Sequence, residues 1–207
     1  AIFLRLGLCN LACTWCDTTY TWDWKTYNRE EQLVEMQPED VEQEILKWGC
    51  KYLVVTGGEP LIQQGSLVPM LEQLKSNEFF IEVETNGTIV PDQKLAHLVD
   101  HWSVSPKLRS SGNAQSLREV PECYRLFVGV ASCHFKYVIQ SKEDFEEVQA
   151  LANRYGLASE RIILMPEAQS RDELLDRGRW LVELCKAQGY MFSTRLHILL
   201  WGNERGK

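Results

Sequence analysis

Short apolar runs of β character alternate along this chain with segments whose apolar residues recur every three or four positions. That alternation predicts a mostly parallel sheet with helices packed on it. "IFLRLGL" opens as a strand, and a long loop runs from 9 to about 36. Pro38 suits the first turn of a helix that puts Val41, Ile45 and Trp48 on one face, with Gly49 as its cap. "KYLVVT" (51–56) is the second strand, followed by a helix across 67–74; "FFIEVET" (79–85) is the third, with a short helix near 95–99. "WSVS" (102–105) is the fourth, and the Ser, Gly and Asn content of 108 to about 130 reads as an irregular surface excursion. The scheme resumes with "HFKYVI" (134–139), a helix over 142–155 carrying Phe145, Val148, Leu151 and Tyr155, and "RIILM" (161–165). A helix over about 171–188 leads through Gly189 to a seventh strand, "YMFSTRL" (190–196).

With 207 residues, 44% hydrophobic and 25% charged, the chain can bury one substantial core, so residues 1–207 are expected to form one domain. A formal charge of -7 argues against a general nucleic-acid binder, which needs clustered Lys and Arg. No apolar run approaches the roughly 20 residues that span a bilayer, so no membrane partner is expected. The opening segment carries Arg5 and no small-residue cleavage site, and so reads as a strand rather than a signal peptide. Seven cysteines, an odd number, fit a reducing cytoplasm better than a secreted disulfide framework. Cys50, Cys123, Cys133 and Cys185 stand singly and are expected to be small buried apolar side chains.

The remaining three are different: "GLCNLACTWCDT" gathers Cys9, Cys13 and Cys16 directly after the first strand. Structural zinc wants four ligands, and none of His97, His101, His134 and His197 is close in sequence, with His197 alone expected on the same rim. Ferredoxin clusters also use four cysteines, at other spacings. Three thiolates on a 4Fe-4S cluster leave one iron open to bind and activate something. Loops at the carboxyl ends of parallel strands carry function in such architectures. "TGGEP", "ETNGT", "SPK", "MPEA" and "HILLWGN" all occupy such loops, and should surround one cavity with the cysteines.

C-x3-C-x2-C after the first strand, with "TGGEP" after the second, resembles the radical S-adenosylmethionine (SAM) superfamily. The resemblance implies that SAM chelates the open iron and is reductively cleaved to a 5′-deoxyadenosyl radical. Glycines at 57 and 58 would permit close backbone approach to SAM; standing alone, they read as an ordinary turn. "FLRLGLCNLACTWCDT", "TGGEP", "ETNGT", "SPK" and "LHILLWGNERG" together resemble the 7-carboxy-7-deazaguanine synthase family over essentially the whole chain. The fold so implied is α/β, an incomplete (β/α)6-type TIM-like barrel with a mostly parallel sheet. The reaction so implied is a ring contraction of 6-carboxy-5,6,7,8-tetrahydropterin with loss of ammonia, in queuosine or other 7-deazapurine biosynthesis. SAM acts in it as a catalytic cofactor, and Mg2+ is required.

Carried over residue by residue, Cys9, Cys13 and Cys16 hold the 4Fe-4S cluster, and the backbone of Trp15, Cys16 and Asp17 runs beside SAM. Thr18 ligates magnesium, a role that suits a hard oxygen and that its place after Cys-Asp favours over the plainer reading, a loop hydroxyl bonding its own backbone. Asp17 is a weaker candidate to hold a magnesium-bound water. Gly58, Ser105, Pro106 and Lys107 match SAM contacts, and Met165, Pro166, Glu167 and Ala168 occupy the loop on the adenosine side. Arg5, Thr56 and His197 match substrate contacts; Arg5 is a charge inside an apolar strand, and its guanidinium fork suits a carboxylate. An outward-facing arginine, a core-filling methionine and a structural histidine are the plainer readings of Arg5, Met165 and His197. The tail "WGNERGK" is expected to fold over the rim.

Members of that family usually begin with a segment bearing a glutamine-glycine-glutamate-glycine element that touches the substrate, and this chain starts after it, which bears on substrate affinity. The implied partners are a small pterin, an electron donor such as flavodoxin or ferredoxin, and a second copy in a homodimer. A glycyl-radical-enzyme activase shares C-x3-C-x2-C and "GGEP" but would need a large protein partner. A non-catalytic iron-sulfur or zinc module is the alternative from another class.

Overall fold

The computed structural model describes residues 1–202 and 204. In chain order they form β1 (Ile2–Leu6), a 3-10 turn (Thr19–Thr21), α1 (Arg29–Gln32), α2 (Pro38–Leu46), β2 (Tyr52–Gly57), α3 (Gln64–Ser76), β3 (Phe80–Thr85), α4 (Gln93–Leu98) and β4 (His101–Val104). There follow α5 (Gln115–Arg118), α6 (Pro121–Val128), β5 (Cys133–Ile139), α7 (Lys142–Tyr155), β6 (Ile162–Pro166), α8 (Arg171–Gln188), β7 (Met191–Phe192) and α9 (Leu196–Trp201). All strand pairs are parallel and the sheet order is β1 to β7 in sequence, with no β7–β1 pairing among the described residues. This is the expected unclosed α/β barrel, with seven strands.

Successive strand residues point to opposite faces. On one face Leu53, Val55, Ile81, Val83, Trp102, Phe135, Tyr137 and Leu164 pack with Leu71 and Leu74 of α3, Phe127 of α6, Val148 of α7 and Leu181 of α8 in a single core. The alternate positions Arg5, Thr56, Glu84 and Lys136 face a cavity on the other side. The register pairs Arg5 with Thr56 on β1–β2, and Glu84 with Ser103 on β3–β4, with Lys136 two residues beyond the partner of Ser103 on β5. α7 and α8 span the expected residues, and Ser170 and Glu173 close a capping box at the start of α8.

Four expectations are corrected. The segment 108–130 is not irregular: it holds α5 and α6, with Cys123, Tyr124 and Phe127 buried and Pro121 at the start of α6, where its missing N–H costs nothing. The strand at 190–196 shrinks to Met191–Phe192, because an edge strand with one neighbour gives way to the helical turn of α9. α2 ends at Leu46 with Lys47 as its cap, so Gly49 does not cap it and Trp48 is 66% exposed, while Ile45 is buried and Val41 packs on the core. Of the four single cysteines, Cys123, Cys133 and Cys185 are buried and Cys50 is half-exposed. Among the described residues no helix is long and apolar enough to cross a membrane.

Candidate active site

The chain leaves β1 through Leu8, a non-glycine residue at φ 71°, a conformation met chiefly where surroundings impose it. The imposition is visible. Leu8 N–H donates to Thr21 O at 2.7 Å, and Leu8 O accepts from Glu59 N at 2.8 Å. Gly58 N–H donates to Leu6 O at 3.0 Å, and a Cβ on Gly58 would overlap the Leu8 carbonyl and press on Cys9 Cβ. Gly57, at φ +138°, has no more room against Leu6. The two glycines therefore admit the chain's own cysteine loop, a close approach different from the ligand contact read from the sequence, although both residues also line the cavity.

Glu59 locks this junction. It is fully buried, and its carboxylate accepts from Leu61 N at 3.0 Å, Thr85 Oγ1 at 2.8 Å and Asn86 N at 2.6 Å. Burial pushes its pKa up, against the pull of those three donors and of Lys107. The loops after β1, β2 and β3 are thus one hydrogen-bonded unit.

Cys9, Cys13 and Cys16 line one cavity of about 590 Å³, a volume suited to small molecules. Two sulfurs already receive N–H donors: Asn113 Nδ2 on Cys13 Sγ at 3.3 Å and Trp22 Nε1 on Cys16 Sγ at 3.4 Å. Burial pushes the Cys9 thiol up to about 11 and raises that of Cys13 against the pull of Lys107 and Asn113, so a bound cation would favour their thiolate forms. Among the described residues no three His, Cys, Asp or Glu side chains close round a single ion. Three soft ligands round an open cavity, two with donors on their sulfurs, fit a polynuclear iron-sulfur cluster with an open corner.

Of the other expected residues, Arg5, Trp15, Asp17, Thr18, Thr56, Gly58, Ser105, Lys107, Met165 and His197 line the same cavity. Thr18 Oγ1 lies 3.6 Å from Cys16 Sγ rather than on its own backbone. Lys107 Nζ donates to Ser105 O at 2.8 Å and Oγ at 3.0 Å and lies 5.9 Å from the centre of the Trp15 ring. Burial lowers the Lys107 pKa, with the neighbouring Cys13 working against it. Pro106, Pro166, Glu167 and Ala168 do not line the cavity. Glu167 pairs with Arg177 of α8, and Ala168 packs with Leu174 and Ile198.

Sequence reasoning missed several lining residues. Glu84 accepts from Lys136 Nζ at 2.7 Å and Thr56 Oγ1 at 2.8 Å. Burial acts to raise its pKa, but Lys136, Thr56 and the charge of Arg5 together bring it below the ordinary value. Charges at 84 and 136 inside apolar strands carry the same signal as Arg5. Trp22 and Arg195 also line the cavity, and Asn113 reaches a cysteine from the segment expected to be a surface excursion. Glu204 of the expected rim-covering tail lines it too; residues 203 and 205–207 lie outside the described residues.

An unclosed parallel barrel with three thiols on its carboxyl rim defines a class, and residues 5–176 match the family model of the radical SAM superfamily. The 7-carboxy-7-deazaguanine synthase of Pyrobaculum aerophilum is 35% identical over all of this chain and 88% of its own length. That of Rhodopirellula baltica is 30% identical, over all of this chain and 80% of its own. The crystal structure of QueE from Escherichia coli superposes with a TM-score of 0.67 at 25% identity, covering 93% of this chain and 84% of that one. The chain belongs to the 7-carboxy-7-deazaguanine synthase family. Membership of the superfamily brings a 4Fe-4S cluster and SAM as cofactors.

Proposed function

We propose that this enzyme converts 6-carboxy-5,6,7,8-tetrahydropterin to 7-carboxy-7-deazaguanine and ammonia, with SAM used catalytically and Mg2+ required. The observation that carries the reading is that Arg5, the Glu84–Lys136 pair and the three thiols share one small-molecule-sized cavity. A substrate carboxylate and a radical source are thereby served by the same space.

When bound, the cluster and SAM would supply abstraction of a hydrogen atom at the pterin C6, the electron that initiates it coming through the cluster from an external one-electron donor. Cys9, Cys13 and Cys16 hold the iron, and Asn113 and Trp22 temper the charge on two of the sulfurs. Backbone at Trp15–Asp17 and at Gly58, with Ser105, Lys107 and Met165, receives SAM. Arg5 takes the pterin carboxylate with its fork, with Thr56 and His197 as further substrate contacts. Thr18 offers a hard hydroxyl oxygen to magnesium, and Asp17 stands beside it to hold a metal-bound water. Trp15 and Trp22 wall the cavity against solvent. A homodimer, a one-electron protein donor and a cytoplasmic setting complete the proposal; seven free cysteines fit a reducing compartment.

The test is anaerobic reconstitution followed by product detection with SAM, Mg2+ or reductant omitted in turn. Product should require all three and vanish in Cys13→Ala; product made without SAM would overturn the reading.

A further inference from the structure

Arg195 has no part in the roles above, yet its side chain joins two distant halves of the cavity wall. It immediately precedes α9 and is 6% exposed. Its Nη1 donates to Asp17 Oδ2 at 2.9 Å, across 178 residues of sequence, and lies 3.5 Å from Ala168 O. Its Nε is buried with no hydrogen-bond partner. A buried guanidinium with an orphaned N–H is a poor way to gain stability, since desolvation offsets much of the attraction; fixing geometry is the better-attested use of such pairs.

The geometry at stake is that of α9. Ile198 is the helix's buried residue and packs into a small cluster with Ala168 and Leu174, against which Leu199 is half-buried, whereas Leu196, Leu200 and Trp201 are exposed. So little apolar contact leaves the helix easily displaced. His197 sits two residues beyond Arg195, and Thr18 directly follows Asp17; both line the cavity.

We propose that Arg195 is a positioning residue, whose pairing with Asp17 latches α9 to the loop after the third cysteine and so fixes His197 in the cavity wall. The latch is a matter of structure alone; its consequence for catalysis rests on the reading of His197 as a substrate contact.

The test uses the full chain, reconstituted anaerobically, with Arg195→Met, Arg195→Lys, Asp17→Asn and the Arg195→Met/Asp17→Asn pair. Hydrogen exchange is followed on the peptide covering 196–202, with iron and sulfide content as the check on the cluster. Exchange there should quicken about tenfold or more in Arg195→Met and in Asp17→Asn, no further in the double variant, and less in Arg195→Lys, which keeps the charge. Wild-type exchange in the single variants, or effects that multiply in the double, would overturn the latch. In turnover, Arg195→Met should raise KM for the pterin about tenfold with kcat nearly kept; a fall in kcat at unchanged KM would overturn the positioning role. Should the wild type not turn over the pterin at all, the functional reading falls, while the exchange data still decide the latch. Arg195→Lys and the isosteric Asp17→Asn keep the test open if Arg195→Met does not fold.

Discussion

Asn113 Nδ2 donates to Cys13 Sγ at 3.3 Å across 100 residues of sequence. The contact is part of a larger seam: Ala12 N donates to Asn113 Oδ1 at 3.0 Å and Thr14 N to Ser111 O at 3.0 Å. The cysteine loop is therefore shaped by the segment after β4 as well as by its own residues. Hydrogen bonds to ligand sulfur stabilise the more negative, reduced cluster and so raise its potential. Asn113→Ala should reconstitute with a more negative midpoint potential and lose iron roughly tenfold more readily, as expected of a lost outer-shell partner. Spectroscopically monitored redox titration checks this; an unchanged potential would remove Asn113 from that role.

Gly58→Ala should be among the most damaging small substitutions, because its Cβ would meet the Leu8 carbonyl, a backbone group that cannot swing aside. A loss of about 3 kcal/mol is expected, at the upper end for overpacking. Gly65, inside α3, has open space where a methyl group would stand, with nothing within 4 Å, so Gly65→Ala should instead gain about 0.5 kcal/mol. Denaturant unfolding of both variants compares the two; equal stabilities would refute the close approach.

Arg5→Met should raise KM for the pterin about 10- to 100-fold, the worth of a charge-assisted hydrogen-bonded contact, and leave SAM affinity nearly unchanged. Steady-state kinetics beside a SAM-binding titration separates the effects. Loss of SAM binding alone would move Arg5 to the cofactor.

At the opposite end of the strands from the cysteine loop, Tyr52 OH donates to Glu82 Oε2 at 2.6 Å, Glu82 lies 3.5 Å from His101 Nδ1, and His101 Nε2 meets His134 Nδ1 at 2.7 Å. Burial first, then positive charge at His101 and Arg161, lowers the His134 pKa against a weaker pull from Glu82. The unfolded chain therefore binds this proton more readily. The stability contributed is fully present above about pH 6.5 and is lost as pH falls through the depressed folded value. Thermal melts taken across that range should show a decline on acidification that His134→Gln flattens; parallel profiles would exclude the histidine.

Much of this is legible in the sequence because the signals are local. Period-two and period-three-to-four patterns mark β1 to β6, α7 and α8, and Cys9, Cys13 and Cys16 announce themselves by spacing. Arg5 stands out as a charge within an apolar strand, and Glu84 and Lys136 offer the same cue. Asn113 and Arg195 offer none, since their partners lie 100 and 178 residues away and only the folding of the sheet brings them together. α6 is hidden when the composition of 108–130 is read as a whole, which masks the helical spacing of Cys123, Tyr124 and Phe127. The shortening of β7 is hidden because an edge strand's length is set by its neighbour rather than by its own residues.

The most direct test of the central claim is the ratio of product to consumed SAM. Reconstituted enzyme, a strong reductant, Mg2+, SAM and 6-carboxytetrahydropterin are incubated without oxygen, and 7-carboxy-7-deazaguanine and 5′-deoxyadenosine are quantified by mass spectrometry. Product in large excess over 5′-deoxyadenosine is the predicted result. SAM cleavage with no 7-carboxy-7-deazaguanine formed would contradict the proposed substrate and reaction.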